Sequence, residues 1–500
     1  MQNMELIRFR RQYLITDKEV AELDGWQKET FNGMNAYAEQ SLEIHKINKD
    51  NKEFLLLGYW INPHSPEKNN SDIMEDMVAE CDTFESILQF LYPLSGRYAL
   101  FCKFGGKAYG VSDAGGFRPI YYTDNNEELN IASNIFLLKY VMDLKEKKEK
   151  YQFENSNFYK WSPTFGWCPG YTFYQNVESV IANHYLDINE RKICRFFPNT
   201  VLRTIDSETD VYNCVSRIAE LLRNSIAGIV SRGAVSFSLT SGYDSRLILS
   251  TAKEFAEKMY FWISYNSKKE RDYYLPQKIL SDNNLPFHPI KNRSHISREQ
   301  SRFYFENTPM AHEIWCRYYM SMMGSYPDDF VVIRGSASGT IRKAYYAEIQ
   351  HPQHITMSYM SNDPNFAYLI ECKPLREYMD KYTISLQEYC VKYRYKTLDI
   401  LQQEYGEGGQ WQAQSQLESD FLHDVFVPLS NREIIDLFLQ LPDEYRDPKD
   451  MKAYKEIIKI GWTELLNYPF NPPSKYSKLE LKMQYYKEAA KFKLKKIFGK

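Results

Sequence analysis

The hydrophobic pattern of this 500-residue chain changes character before its midpoint. Up to about residue 200, apolar residues come in short runs separated by Gly, Asp and Asn, as in strands joined by turns. Residues 55–61 are the clearest run. Runs at 97–104, 107–112, 120–123 and 129–132 follow, and 81–91 has helical spacing. Packed antiparallel sheets with a few helices are predicted. Residues 158–198 form a bridge, and the polar run 206–210 completes a linker. Beyond it Val215, Ile218, Ala219, Leu222, Ile226 and Ile229 recur at the spacing of an amphipathic helix over 211–231. Strands and helices then alternate. Val235, Phe237 and Leu239 mark a first strand, 259–265 a second, 287–290 a third and 330–335 a fourth, with a helix over 272–284. Alternation of this kind predicts a parallel, doubly wound sheet that binds ligands at the carboxyl ends of its strands. The fold expected is α/β plus α+β, divided at 1–200 and 205–500.

Three strand ends are the places to look for chemistry: 239–245, 263–265 and 334–340. The first reads Thr240-Ser241-Gly242-Tyr243-Asp244-Ser245 and opens a helix whose apolar spacing runs through Leu247, Ile248, Ala252, Phe255 and Ala256. Backbone N–H groups at a helix start carry partial positive charge and suit phosphate. Hydroxyls at Thr240, Ser241 and Ser245 add donors, and Asp244 suits a magnesium ion. Taken alone, a strand, polar turn and helix fit an ordinary structural turn equally well.

Composition narrows the classes. The formal net charge of −3 gives no global case for nucleic acid. Eight cysteines are scattered singly with no C-x-x-C, which fits reduced thiols in a cytoplasmic protein better than a disulfide frame or a zinc site. The first residues lack the apolar core of a signal peptide. No apolar run approaches the ~20 residues of a spanning helix.

Several blocks together resemble the asparagine synthetase family. The loop at 240–245 is similar to the family's pyrophosphate loop, Ser-Gly-Gly-x-Asp-Ser, with Thr240 and Ser241 in its first two places and Gly242, Asp244 and Ser245 matching. Leu94-Ser95-Gly96-Arg97-Tyr98-Ala99, the turn from Asp113 to Tyr122, and Ala132-Ser133 resemble landmarks of its glutamine-hydrolysing domain. Residues 424–432 and Leu439-Gln440-Leu441-Pro442 resemble landmarks of its synthetase domain, followed by Lys455-x-x-x-Lys459 where the family has Lys-x-x-x-Arg. The resemblance implies an N-terminal Ntn-hydrolase-like stacked-sheet domain and a C-terminal doubly wound sheet of ATP-pyrophosphatase type with a helical C-terminal part.

It also implies ATP and magnesium as cofactors. The phosphates would sit on Thr240, Ser241, Gly242, Asp244 and Ser245, with the metal on Asp244. Adenosine would lie near the backbones of Leu239, Ile263 and Ser264, with Gly335 facing it, and Lys455 would reach the reacting phosphate. A carboxylate on a small molecule, glycan or peptide would be adenylated, and an amine would then displace AMP.

Two departures qualify this. A glutaminase of that type needs cysteine after Met removal, and here Gln2 follows Met1 with Cys81 the nearest cysteine. The sandwich is therefore expected to lack glutaminase chemistry, so the amine would come from elsewhere. The family's Gly-x-Gly-x-Asp-Glu loop falls on 335–340, where Ser336, Gly339 and Thr340 stand in place of acids and Arg334 and Arg342 flank them. Candidates for the missing base are Glu270, Asp272, Tyr345 and Tyr346. The rival expectation is a catalytically degenerate relative that binds a nucleotide or a partner. His351 and His354 are set aside as a metal pair because Pro352 separates them and no third ligand is near in sequence. Glu418 and Asp420 could be paired acids, and helix-surface charges explain them as well. The basic, apolar-spaced tail from Lys475 reads as a docked helix that could also rest on an anionic membrane.

Overall fold

A computed structural model describes residues 4–123, 128–157, 159, 168–327, 329–343, 368–480 and 482–483. Tyr345, Tyr346, His351, His354 and the tail beyond residue 483 lie outside the described residues, and the membrane contact expected of that tail lies there with them.

The first 200 residues build two six-stranded antiparallel sheets. Their strands in chain order are β1 (Tyr13–Thr16), β2 (Gln27–Phe31), β3 (Met34–Ala38), β4 (Ile44–Lys49), β5 (Lys52–Ile61), β6 (Ser95–Phe104), β7 (Lys107–Ser112), β8 (Tyr121–Thr123), β9 (Ile131–Ala132), β10 (Val177–Ser179), β11 (His184–Asp187) and β12 (Lys192–Arg195). One sheet has the order β10-β8-β9-β1-β3-β2 and the other β12-β11-β7-β6-β5-β4. Alternation along β5 shows how they stack. Leu55 and Leu57 pack with Phe101 against Tyr13, Ile15 and Phe31 of the other sheet. Phe54, Leu56 and Trp60 point the opposite way, onto Ile73 and Met77 of α1 (Asn70–Glu80) and Ile87 of α2 (Phe84–Phe90). Both faces of β5 are buried, which is why it reads as an unbroken apolar run rather than an alternating one.

The second half carries a five-stranded sheet of β13 (Val235–Ser238), β14 (Met259–Tyr265), β15 (His288–Lys291), β16 (Val331–Ile333) and β17 (Asp424–Phe426). The order is β15-β14-β13-β16-β17, and every pair is parallel. Helices cover both faces. On one, Phe237 and Phe261 of the sheet meet Leu222 of α3 (Glu208–Arg232), Leu247 of α4 (Tyr243–Thr251) and Ile457 of α8 (Lys452–Trp462). On the other, Trp262 and Val332 meet Phe303 of α6 (Arg298–Asn307) and Met320 of α7 (Glu313–Met322). The helix α5 (Arg271–Asp282) links β14 to β15. Strand β17 escapes the hydrophobic pattern because it is three residues long and begins on a charged residue.

Glu418 and Asp420 are not surface charges; both are fully buried. Glu418 accepts hydrogen bonds from Tyr304 Oη at 2.7 Å and from the His312 backbone at 2.8 Å. Asp420 accepts from Gln12 Nε2 at 2.7 Å and from Arg97 Nη2 at 2.9 Å. Glu418 lies in the helix Gln412–Ser419 and Asp420 follows it; most of that helix is buried, so these acids meet protein partners rather than water. All eight cysteines are free thiols. Among the described residues no helix is long and apolar enough to cross a membrane.

Candidate functional site

The strand order reverses direction at β13, whose neighbours are β14 and β16. Crevices at such points are where ligands of parallel sheets bind. A cavity of about 410 Å³ opens there, lined on one side by Thr240, Asp244 and Ser245 and on the other by residues of 334–342. At Gly335 the two segments meet backbone to backbone. A Cβ on Gly335 would lie 2.6 Å from the Asp244 carbonyl carbon and 2.8 Å from Ser245 N. Only glycine lets the β16 end approach the α4 start this closely.

The 240–245 loop is held from behind. Ser241 gives its backbone N–H (2.8 Å) and its hydroxyl (2.7 Å) to Asp272 at the start of α5. These two donors, expected to meet phosphate, are therefore already engaged. Thr240 and Ser245 share a hydroxyl–hydroxyl bond of 2.8 Å at the cavity edge. Gly242 stands at the cap of α4. Fully buried Arg246 donates to the carbonyls of Ser241 (3.1 Å), Tyr468 (2.8 Å) and Pro469 (3.0 Å), and its guanidinium lies 3.9 Å from the Phe470 ring. Tyr243 stacks on the same ring at 3.8 Å.

Asp244 is the chemical centre. Its Oδ2 lies 3.2 Å from Arg342 Nη1, while its Oδ1 is buried with no hydrogen-bond partner among the described residues. Burial pushes the carboxyl above its ordinary range, against the opposing pull of Arg342, Ser338 and Tyr454. The Trp315 indole N–H is likewise buried without a partner. Buried polar groups left without a protein partner call for a water or an ion to complete their bonding. Trp315 and Trp411, with ring centroids 5.9 Å apart, and Tyr318 and Tyr319, 5.1 Å apart, form an aromatic wall.

A second carboxylate enters from an element that the sequence does not mark. Residues Gln402–Gln410 form a π-helical stretch, a geometry found often at functional sites. It brings Glu407 to the cavity, where Oε1 accepts from Gly339 N at 2.8 Å and from Gln402 Nε2 at 3.3 Å. A Cβ at position 339 would stand 2.5 Å from that same oxygen. The loop position expected to carry an acid is thus a glycine because Glu407 fills its space. Burial raises the Glu407 carboxyl, and the nearby Asp244 charge adds to that. The run Gly-Glu-Gly-Gly at 406–409 was the available signal, a lone acid among glycines within a helical stretch.

The 334–342 segment is anchored too. Arg334 N donates to Phe426 O at 2.9 Å, and its guanidinium lies 3.0 Å from His423 Nε2. Burial, with Arg334 beside it, holds His423 well below the usual histidine range and so neutral. Arg446 donates to the carbonyls of Thr340 (2.9 Å) and Ile341 (3.1 Å).

The remaining expected residues sit around the cavity rather than on it. Leu239 is fully buried beneath the loop, and Ile263 lies at the end of β14. Ser264 hydrogen-bonds Asn292. Lys455 is half-buried on α8, outside the lining, whereas its neighbour Tyr454 is buried beside Asp244. Asp272 is taken by Ser241, and Glu270 by Asn266 N at 3.0 Å.

No family model matches the sequence, and no curated protein matches it. Solved structures match it only with low structural similarity scores. One is glutamine phosphoribosylpyrophosphate (PRPP) amidotransferase from B. subtilis complexed with ADP and GMP: 13% identity, 67% of this chain and 77% of that one covered, TM-score 0.24. Another is described as the allosteric regulatory enzyme of purine biosynthesis: 11% identity, 67% and 72% covered, TM-score 0.26. Nothing about the activity of this chain follows from similarity of that degree.

Proposed function

We propose that the cavity binds ATP by its phosphates and uses it to activate a carboxylate, which an amine then converts to an amide. The observation that carries this reading is the meeting of 240–245 and 334–342 over one cavity at the carboxyl ends of β13 and β16. In this reading the sandwich is of N-terminal-nucleophile hydrolase type without its nucleophile, and the second half is of ATP-pyrophosphatase type.

A substrate carboxylate oxygen attacks the α-phosphorus, the bond to the bridging oxygen breaks, and pyrophosphate leaves. Arg334, Arg342 and the start of α4 offset the charge that grows on the departing group. The amine nitrogen then attacks the acyl carbon, the acyl–oxygen bond breaks, and AMP leaves. Glu407 takes the proton released by nitrogen. Its raised affinity for protons, caused by burial, suits it to that task. The aromatic wall accepts the adenine or a substrate ring. Lys455 lies outside the cavity lining, so in this reading the phosphate charge falls to Arg334 and Arg342.

Magnesium at Asp244 is the part of this reading that the residues do not fit. Arg342 holds one Asp244 oxygen, the 335–340 segment offers no carboxylate, and one oxygen of Glu407 is bound by Gly339 and Gln402. Among the described residues no group of three His, Cys, Asp or Glu side chains is gathered.

The test is ATP–pyrophosphate exchange across a panel of amino acids, sugar acids and peptide carboxylates, with hydroxylamine as the trapping amine. Exchange with one class of carboxylate is expected. ATP binding with no exchange across the panel would favour a second reading, a nucleotide-binding protein without turnover. The Asp244–Arg342 ion pair is the observation that speaks for it.

A further inference from the structure

The acids missing from 335–340 and the arginine that follows them are two sides of one exchange. Asp244 faces Arg342 where a metal-dependent site would place a cation, with 3.2 Å between Nη1 and Oδ2. We propose that Arg342 stands in for the divalent cation at this site, so that the cavity binds nucleotide phosphates without added metal. The proposal rests on the nucleotide reading above.

Three observations converge on it. The carboxylate best placed to hold a metal already holds a guanidinium. Its expected partner acids are absent, and the one acid that enters the cavity, Glu407, is tied to the Gly339 backbone. The cavity has a second permanent cation, Arg334, whose guanidinium lies 3.0 Å from His423 Nε2. A guanidinium has five donors in a rigid fork, so one edge can stay on Asp244 while another meets phosphate oxygens. It keeps its charge at any working pH. A metal ion would have to displace it first. Asp244 in this scheme is a positioning residue: it aims Arg342 and makes no bond to the nucleotide.

The role of Asp244 separates the two possibilities. As a metal ligand it is indispensable, whereas as the partner of Arg342 it can be neutralised without loss of phosphate binding. The experiment is calorimetric titration of the full chain with ATP and with inorganic pyrophosphate, in EDTA and again in excess magnesium. Affinity in EDTA is expected within about threefold of that with magnesium. Arg342→Ala should lower affinity in EDTA by roughly 10–100-fold, as loss of a charge-assisted contact does. Asp244→Asn, close to isosteric, should retain binding in EDTA. Binding by the wild-type chain only when magnesium is present would overturn the proposal. So would loss of all binding in an Asp244→Asn protein whose circular dichroism is unchanged. Failure of both probes under both conditions would instead remove the nucleotide reading, and this proposal with it.

Discussion

Gly335 and Gly339 are both contact points, but what they touch differs, and so do the expected costs of filling them. At 335 an added methyl meets the backbone of Asp244 and Ser245, which cannot yield without moving the start of α4. Gly335→Ala is expected to cost about 1–3 kcal/mol in urea unfolding, as overpacking does, and to weaken ATP binding. At 339 the methyl meets the ends of the Gln402 and Glu407 side chains. Gly339→Ala should therefore displace Glu407 and reach activity more than stability. Glu407→Gln keeps the volume and removes the proposed base, so in the proposed reaction amide formation should fall about 10²–10⁴-fold. Pyrophosphate exchange, which precedes the proton transfer, should be largely preserved. Equal loss of both would assign Glu407 to packing. Asp436 offers a separate test by pH. Burial lifts its carboxyl to about 6, although Tyr92 and Tyr395 donate to it at 2.6 and 2.8 Å. A pKa raised by folding makes the contribution of this group greatest below about pH 4, and that contribution is lost as pH rises through about 6. Asp436→Asn should remove on the order of 2–3 kcal/mol of that pH dependence, read as a flatter plot of unfolding free energy against pH.

Each element at the site is fixed by something remote in sequence. Arg246 ties the 240–245 loop to 468–470, and Arg446 ties the carbonyls of 340 and 341 to Asp399 at 2.6 Å. Glu404, one turn before Glu407, is fully buried and accepts from Arg195 Nη2 at 2.8 Å, Tyr382 Oη at 2.6 Å and Asn183 Nδ2 at 3.0 Å. These bonds fix the start of the π-helical stretch. Glu404→Ala would leave Arg195 buried without its partner, at a cost of roughly 3–5 kcal/mol. It should also lower amide formation through Glu407 while leaving ATP affinity in place, which parallel calorimetry and turnover assays would show. This is also where sequence and structure part company. Periodicity reads β5, β6, β7, β13, β14 and α3 because each buries a continuous face, and that face is written locally. It misses β17, whose three residues are a strand only because β16 lies beside them. It finds Asp244 because a strand, a polar loop and a helix are consecutive. It misses Glu407 because what gives that residue a role is the absence of a side chain at 339, nearly seventy positions earlier.

At the scale of the whole molecule, buried charge joins the sandwich to the parallel sheet. Arg97 of β6 donates to Asp420 and to Asp424 Oδ1 at 2.9 Å, and Arg118 Nη2 reaches Asp424 Oδ2 at 3.2 Å. Arg11 Nη1 donates to the Asp420 carbonyl at 2.6 Å. Both arginines on Asp424 come from the sandwich, and Asp424 opens β17 at the edge of the parallel sheet. Despite the cost of burial, Arg118, Arg97 and Arg11 hold the Asp424 carboxyl well below the usual carboxylate range. A carboxyl lowered by folding stabilises the protein above its ordinary pKa, and this is lost as pH falls through the folded value. The two halves are therefore coupled at neutral pH and should come apart on acidification before either melts. Asp420→Ala tests the coupling without acid. It removes one of the two carboxylates facing buried Arg97 and leaves only Asp424, at a cost toward the lower end of roughly 3–5 kcal/mol. Apolar contacts cross the same boundary: Ile7 packs with Trp262 and Val332, and Tyr59 with Phe426 at 6.4 Å. The charged pairs are expected to align these two apolar surfaces. Wild-type protein should thus unfold in one calorimetric transition at neutral pH, and Asp420→Ala in two, the sandwich separating from the parallel sheet. A single transition displaced to lower temperature would show instead that the apolar contacts alone are enough to hold the halves as one cooperative unit.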